Sequence, residues 1–140
     1  GRSLVGNAGV LVTEVLVIKT SAQKNFCIVD AAMNDLLRPA LYQATMGIVP
    51  CLQRDGASTL YDVVGPVCES GDWLGRDRAL TVRPGDRLAV LSAGAYAMAM
   101  ASNYNSRPRA AEVMVDGKQA HLIRQRESVR ELFAHEKLIC

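Results

Sequence analysis

The sequence predicts a mainly β domain, a Greek-key-like barrel or sandwich with a few short helices, and three observations carry that prediction. Apolar runs of strand length recur along the 140 residues; Gly, Pro and Asp clusters separate them; windows with helical periodicity are few and short. Short strands joined by such turns are the pattern of all-β barrels and sandwiches. No internal repeat, low-complexity tract or linker divides the chain, so residues 1–140 read as one domain.

The elements follow in order. Val10 to Lys19, rich in Val and Leu, and Phe26 to Val29 are two strands joined across the polar break Thr20 to Asn25. Asp35 to Leu37 allows one helical turn before Pro39, and Pro39 to Tyr42 another. Ile48 to Leu52 and Ser58 to Val64 flank Arg54-Asp55-Gly56 and are expected to form a hairpin. Arg83-Pro84-Gly85-Asp86 is a turn leading into the strand Leu88 to Leu91. Ala95 to Ser102 has helical propensity through its alanines and methionines. Glu112 to Val115 and Gln119 to Arg124 surround Asp116-Gly117, which supplies the positive φ angles of a type I′ hairpin turn. Ser128 to Ala134 carries a capping box, with Ser128 as N-cap and Glu131 at N3.

Composition excludes several classes. The chain is 49% hydrophobic and 21% charged, which suits a globular domain, and 16 basic against 14 acidic residues give a net charge of +2. No basic run or aromatic-interleaved basic patch points to nucleic acid. The longest apolar stretch, Gly9 to Ile18, is interrupted by Thr13 and Glu14 and is too short to span a bilayer. It also lacks the flanks of a signal peptide. Cys27, Cys51, Cys68 and Cys140 are scattered, without a C-x-x-C pair or a histidine cluster, so neither a metal site nor a disulfide framework is expected. A reduced, cytoplasmic protein is expected.

The segment Gly65-Pro66-Val67-Cys68-Glu69-Ser70-Gly71-Asp72 places a thiol beside a carboxylate. Adjacent side chains on a regular strand point to opposite faces. The Gly and Pro flanks predict a turn instead, where both side chains can face one pocket. Taken alone, each candidate has a plainer reading. A free cysteine is usually a small buried hydrophobe, and Glu69 a solvated acid. Arg38 is a surface cation before a helix-starting proline, and Arg2 stands at a fraying terminus. Tyr42 and Tyr96 are packed rings with bonded hydroxyls.

The same segment resembles the Cys-Glu-Ser-Gly-Asp signature of the diaminopimelate decarboxylase family, and the resemblance runs along the whole chain. Gly1-Arg2-Ser3 with Gly6-Asn7-Ala8-Gly9, Leu37-Arg38-Pro39-Ala40-Leu41-Tyr42 and Gly94-Ala95-Tyr96 are similar to family segments in the same order. So are Ser102-Asn103-Tyr104-Asn105, the stretch Asn105 to Arg109 with Ala111-Glu112-Val113, and Arg126-Glu127-Ser128. The Cys68 segment by itself is also similar to pyridoxal-phosphate decarboxylases of ornithine, arginine or carboxynorspermidine. Ala97 departs from the pattern: the family commonly has glycine after this tyrosine, and a methyl disfavours positive φ.

The resemblance implies a two-domain enzyme in which an α/β barrel precedes this C-terminal β domain, acting as a homodimer with shared active sites. It implies pyridoxal 5'-phosphate as cofactor and conversion of meso-2,6-diaminopimelate to L-lysine and CO2 in lysine biosynthesis. The barrel then supplies the Schiff-base lysine and phosphate loops, Gly1-Arg2 closes a Glu-Pro-Gly-Arg motif, and this chain alone is expected to be inactive. Lys19, Lys24, Lys118 and Lys137 lie in polar or turn contexts and read as solvated amines.

Under the resemblance Cys68 is the catalytic proton donor, reaching into the partner subunit's site. A free thiol titrates near about pH 8.5 and is mostly protonated at neutral pH, which suits donation to a carbanion. Glu69 takes the substrate's distal ammonium, and Arg2 and Arg38 its distal carboxylate, since guanidinium matches carboxylate with two parallel hydrogen bonds. Tyr42 contacts substrate, Tyr96 contacts substrate and cofactor phosphate, and Gly1 and Arg2 border the cofactor. Met98 and Met100 read as fillers of core or dimer-interface gaps. Asn103-Tyr104-Asn105 reads as a site edge or packing, and Trp73 as a buttress of the Cys68 loop. His121 and His135 receive no catalytic role. Two alternatives remain: a sister decarboxylase of another basic amino acid, and a non-catalytic β dimerisation module.

Overall fold

In the computed structural model, which describes residues 1–139, a one-turn helix α1 (Arg2–Val5) and a 3-10 turn (Gly6–Ala8) lead into the first strand. The strands and second helix then follow as β1 (Leu11–Lys19), β2 (Phe26–Val29), α2 (Arg38–Tyr42), β3 (Ile48–Pro50), β4 (Thr59–Val64), β5 (Trp73–Leu80) and β6 (Arg87–Val90). These six strands form one sheet in the order β3-β6-β1-β2-β4-β5. Its edges meet: a Cβ added to Gly75 of β5 would fall 2.7 Å from Ile48 Cδ1 of β3. The sheet is a nearly closed barrel, with its interior filled by Val15, Cys27, Val29, Val63, Leu74, Leu88 and Val90, all without solvent exposure. Leu36 and Met46, from the segment between β2 and β3, join the same core. The strand pair β7 (Glu112–Asp116) and β8 (Gln119–Arg124) forms a separate two-stranded sheet. No helix among the described residues is long and apolar enough to cross a membrane.

Register decides which end of the barrel each connection occupies. Antiparallel partners run in opposite directions, so one strand starts where its neighbour stops. Leu11, at the start of β1, lies opposite Val90 at the end of β6, and Ile48, at the start of β3, also lies opposite Val90. β2 runs back along β1 and ends at Val29, opposite Val15. β4 is parallel to β2, with Ile28 beside Val64, so it ends at the same side. Residues 1–10, 30–47, 65–72 and 91–97 therefore gather at one end of the barrel. Every candidate site residue (Gly1, Arg2, Arg38, Tyr42, Cys68, Glu69 and Tyr96) belongs to one of these segments.

Several local expectations change. Ile48–Pro50 and Thr59–Val64 do not pair with each other: β3 pairs with β6, and β4 with β2 and β5. Arg54 is held instead by Asp86, through Nε to Oδ2 at 2.7 Å and Nη2 to Oδ1 at 2.5 Å, which carries the 51–58 segment across the far end of the barrel. β5 has no counterpart in the sequence reading. A bulge between Gly75 and Arg78 and a positive φ at Asp77 (52°) break its alternation, and Asp62 Oδ1 accepts the Asp77 N–H at 2.9 Å to hold the irregularity. Ala95 to Ser102 forms only a 3-10 turn over Met98–Met100, because Tyr96 takes φ 61° and stops a helix from starting earlier. The β7–β8 turn has Gly117-Lys118 at its centre, with positive φ only at Gly117 (58°), the pattern of a type II′ turn. The Ser128–Glu131 capping box forms as expected, but starts a 3-10 turn (Val129–Phe133).

Candidate active site

Cys68 and Glu69 lie in the β4–β5 connection, outside any strand, and both are exposed. Exposure removes the plainer reading of Cys68 as a buried hydrophobe. That role falls to Cys27, fully enclosed in the barrel, whose thiol burial pushes up to about 11. The loop is a series of tight turns. The Glu69 N–H donates to Val67 O at 2.8 Å, the Asp72 N–H to Glu69 O at 3.0 Å, and the Gly65 N–H to Asp72 O at 3.1 Å. The Gly71 N–H (3.2 Å) and Ser70 hydroxyl (3.1 Å) donate to Glu69 Oε1, and the Tyr104 hydroxyl approaches Oε2 at 3.4 Å. These donors, the Gly71 N–H foremost, hold the Glu69 carboxyl below the usual range, so it is anionic at neutral pH and suited to a cation.

Asp72 fastens this loop to the 30–35 segment, and Asn34 fastens that segment to residues 102–107. Asp72, 4% exposed, accepts the N–H of Met33 at 2.7 Å and of Val67 at 2.8 Å. Burial pushes its carboxyl up, and those two N–H groups oppose the shift. Asn34, 2% exposed, donates to Ser102 O at 3.2 Å and accepts Arg107 Nε at 2.9 Å. Residues 30–35 thus lie between the Cys68 loop and the 102–107 segment. That segment is strained, with Asn105 at φ 59° and Ser106 at φ 55°. It is tied down by Glu127, which accepts Asn103 Nδ2 (2.7 Å), the Arg109 N–H (2.8 Å) and Arg109 Nη1 (2.7 Å). These donors, the Arg109 N–H foremost, hold the Glu127 carboxyl at about 2. Between the segments opens a cleft of about 250 Å³ lined by Met33, Asn34, Leu37, Ser102 and Tyr104.

Leu37 of that cleft immediately precedes α2, which carries Arg38, half-buried, and Tyr42, exposed. Pro39 stands in the first turn, where its missing N–H costs nothing, and Gln43 at φ 54° ends the helix. Arg2 and Tyr96 form a second group. The Gly94 N–H donates to Gly6 O at 3.1 Å and the Ala93 N–H to Gly9 O at 2.8 Å, which ties the segment behind α1 to the turn carrying Tyr96. Positive φ falls on Tyr96 itself and not on Ala97 (φ −87°), so the methyl at 97 costs the backbone nothing. A bulky residue in this region is an outlier of the kind that clusters at functional sites. Arg2 and Tyr96 are exposed, and neither has a side-chain hydrogen bond or ion pair among the described residues. Their donors are available to an anion.

The Tyr104 hydroxyl thus links Glu69, next to Cys68 in its loop, to the cleft that leads to α2, and the segment that follows Arg2 is tied to the Tyr96 turn. No hydrogen bond joins these two groups among the described residues. Trp73 flanks the Cys68 loop, its N–H donating to Gly71 O at 2.9 Å. It opens β5 and stacks under Arg76, whose guanidinium carbon lies 4.4 Å from the ring centroid. Asp72 has the fastening role, and its signal was its place inside the Cys-Glu-Ser-Gly-Asp motif. Met98 and Met100 are half-buried. Lys24 pairs with Asp62 at 2.8 Å at the far end of the barrel. Among the described residues no group of three or more His, Cys, Asp or Glu is placed to hold a metal ion.

Residues 4–94 match the family model of the pyridoxal-dependent decarboxylase C-terminal sheet domain. The chain is 59% identical over 139 residues to a diaminopimelate decarboxylase of Pseudomonas aeruginosa, covering 99% of this chain and 34% of that protein. It is 57% identical to the Vibrio cholerae protein of the same name, again over 99% of this chain and 33% of the relative. Among solved structures, diaminopimelate decarboxylase from M. jannaschii in complex with L-lysine superposes with a TM-score of 0.95 at 41% identity, covering 99% of this chain and 32% of that one. The chain spans about a third of the length of the relatives it matches.

Proposed function

Because the chain belongs to the pyridoxal-dependent decarboxylases, as their C-terminal sheet domain, we propose that it serves a diaminopimelate decarboxylase whose α/β barrel lies in the other two thirds of the polypeptide. The observation that carries the proposal is the gathering of Cys68, Glu69, Arg38, Arg2 and Tyr96 at one end of a barrel, in a chain 59% identical to a diaminopimelate decarboxylase. The reaction is meso-2,6-diaminopimelate to L-lysine and CO2, in the lysine biosynthesis of the cytoplasm.

Pyridoxal 5'-phosphate, when bound, delocalises the carbanion left by loss of CO2. Gly1, Arg2 and Tyr96 border it from this domain. The free hydroxyl of Tyr96 suits a phosphate, and the remaining contacts, including the lysine that anchors the cofactor, would come from the α/β barrel. Arg38 and Arg2 receive the substrate's distal carboxylate, Glu69 its distal ammonium, and Tyr42 borders it. Cys68 holds the proton on Sγ that is returned to the α-carbon. The thiol and the Arg2–Tyr96 group are separately anchored, which fits a homodimer in which Cys68 and Glu69 complete the partner subunit's site.

The sister decarboxylase of ornithine type is the weaker reading: such a substrate offers no distal carboxylate to Arg2 and Arg38. The full-length protein with pyridoxal phosphate should release L-lysine and CO2 in equal amounts from meso-diaminopimelate. Release of neither contradicts the proposal.

A further inference from the structure

We propose that Asp72 is a positioning residue for the Cys68 thiol, acting through the Val67 and Glu69 backbone on either side of it. The inference rests on the reading of Cys68 as proton donor. A carboxylate that is 4% exposed requires hydrogen-bond partners, and Asp72 has no direct ion pair among the described residues. Its two oxygens are spent on two main-chain donors. One is Met33, in the 30–35 segment; the other is Val67, the residue before Cys68. Its own main chain holds the rest of the loop: the Asp72 N–H donates to Glu69 O, and Asp72 O accepts the Gly65 N–H.

Cys68 therefore sits between two residues that are both referred to Asp72, while its own side chain makes no hydrogen bond among the described residues. Gly65 is part of the device. A Cβ there would fall 2.6 Å from Asp72 Oδ1 and 2.8 Å from Ala31 O, so only glycine leaves room for the carboxylate to reach both donors. The Met33 bond also sets the loop's distance from the cleft that Met33 lines. Asp72 touches no reacting atom. It decides where the thiol stands.

Asp72→Asn keeps the shape but turns one acceptor toward an N–H as a donor, which removes one of the two anchors. In the full-length holoenzyme assayed with meso-diaminopimelate, kcat should fall by about tenfold to a hundredfold, with KM and bound cofactor changing by less than about threefold. The deciding measurement is the same substitution in a Cys68→Ala background. A residue that acts only through the thiol should there change kcat by less than about twofold. Asp72→Ser keeps an acceptor without presenting an amide donor, and replaces Asp72→Asn if that variant fails to fold; the same pattern is expected. The inference is overturned if kcat is unchanged, or if the full loss persists without the thiol. If Cys68→Ala itself leaves kcat unchanged, the proton-donor reading has failed instead.

Discussion

Gly9 and Gly94 pack backbone against backbone: a Cβ on Gly9 would fall 2.6 Å from the Gly94 Cα. This approach, with the Gly94 N–H to Gly6 O bond, presses the N-terminal segment carrying Arg2 onto the turn carrying Tyr96. A Cβ on Gly94 would collide with the Val5 carbonyl, which as backbone has no rotamer to escape into. Gly94→Ala should therefore cost about 1–3 kcal/mol of stability, read as a lowered Tm. It should also weaken pyridoxal phosphate binding by the full-length protein. Unchanged cofactor affinity would detach the Arg2 segment from the cofactor site.

At the far end of the barrel, Arg54 holds the Asp86 carboxyl at about 2, well below its ordinary 3.8. The sign follows from linkage. A carboxyl depressed in the folded state contributes stability that is complete above its unfolded value and is lost as pH falls toward the folded one. Arg54→Ala should raise the midpoint of acid unfolding, with the stability difference from wild type full above about pH 4, neutral pH included, and shrinking as pH falls from about 4 to about 2. Circular dichroism across that range measures it. An unmoved midpoint would assign the acid stability elsewhere, Glu127 being the next group held at about 2.

Replacing Cys68 by Ala in the full-length protein should lower kcat by about a hundredfold or more, the usual worth of a positioned acid, while cofactor binding persists. Unchanged turnover would remove the thiol from the reaction.

The proposed homodimer with shared sites makes a separate prediction. Cys68→Ala and Arg38→Ala chains, each impaired alone, should regain activity when mixed and re-dimerised, up to about a quarter of the wild-type value at low substrate. Half of the dimers are then mixed, and each mixed dimer carries one intact site. No recovery would place Cys68 and Arg38 in the same subunit's site.

Much of this architecture was legible in the sequence because it is locally encoded. β1, β2 and β6 show as apolar runs, and the β7–β8 hairpin is marked by its Asp116-Gly117. The side-by-side exposure of Cys68 and Glu69 follows from the Gly and Pro flanks that forbid a regular strand. What stayed hidden is non-local. β5 was masked by Arg76, Asp77 and Arg78 and by the bulge that accommodates them. The parallel pairing of β2 with β4 leaves no turn signal, so the Arg54-Asp55-Gly56 segment read as a hairpin. The clamp of Asn34 on Arg107 joins residues 73 apart, and no local pattern announces it. Asp72 stood in plain view within the motif, but its role required knowing that Met33 lies beside it.

The most direct test of the whole account is the ratio of kcat/KM for meso-diaminopimelate to that for ornithine, measured in the full-length protein and in its Arg38→Ala variant. The wild type should strongly prefer diaminopimelate. The variant should lose about tenfold to a hundredfold on diaminopimelate and little on ornithine, because only diaminopimelate carries the carboxylate that the guanidinium holds. Equal losses on both substrates, or a wild-type preference for ornithine, would contradict the assignment of Arg38 and with it the proposed substrate.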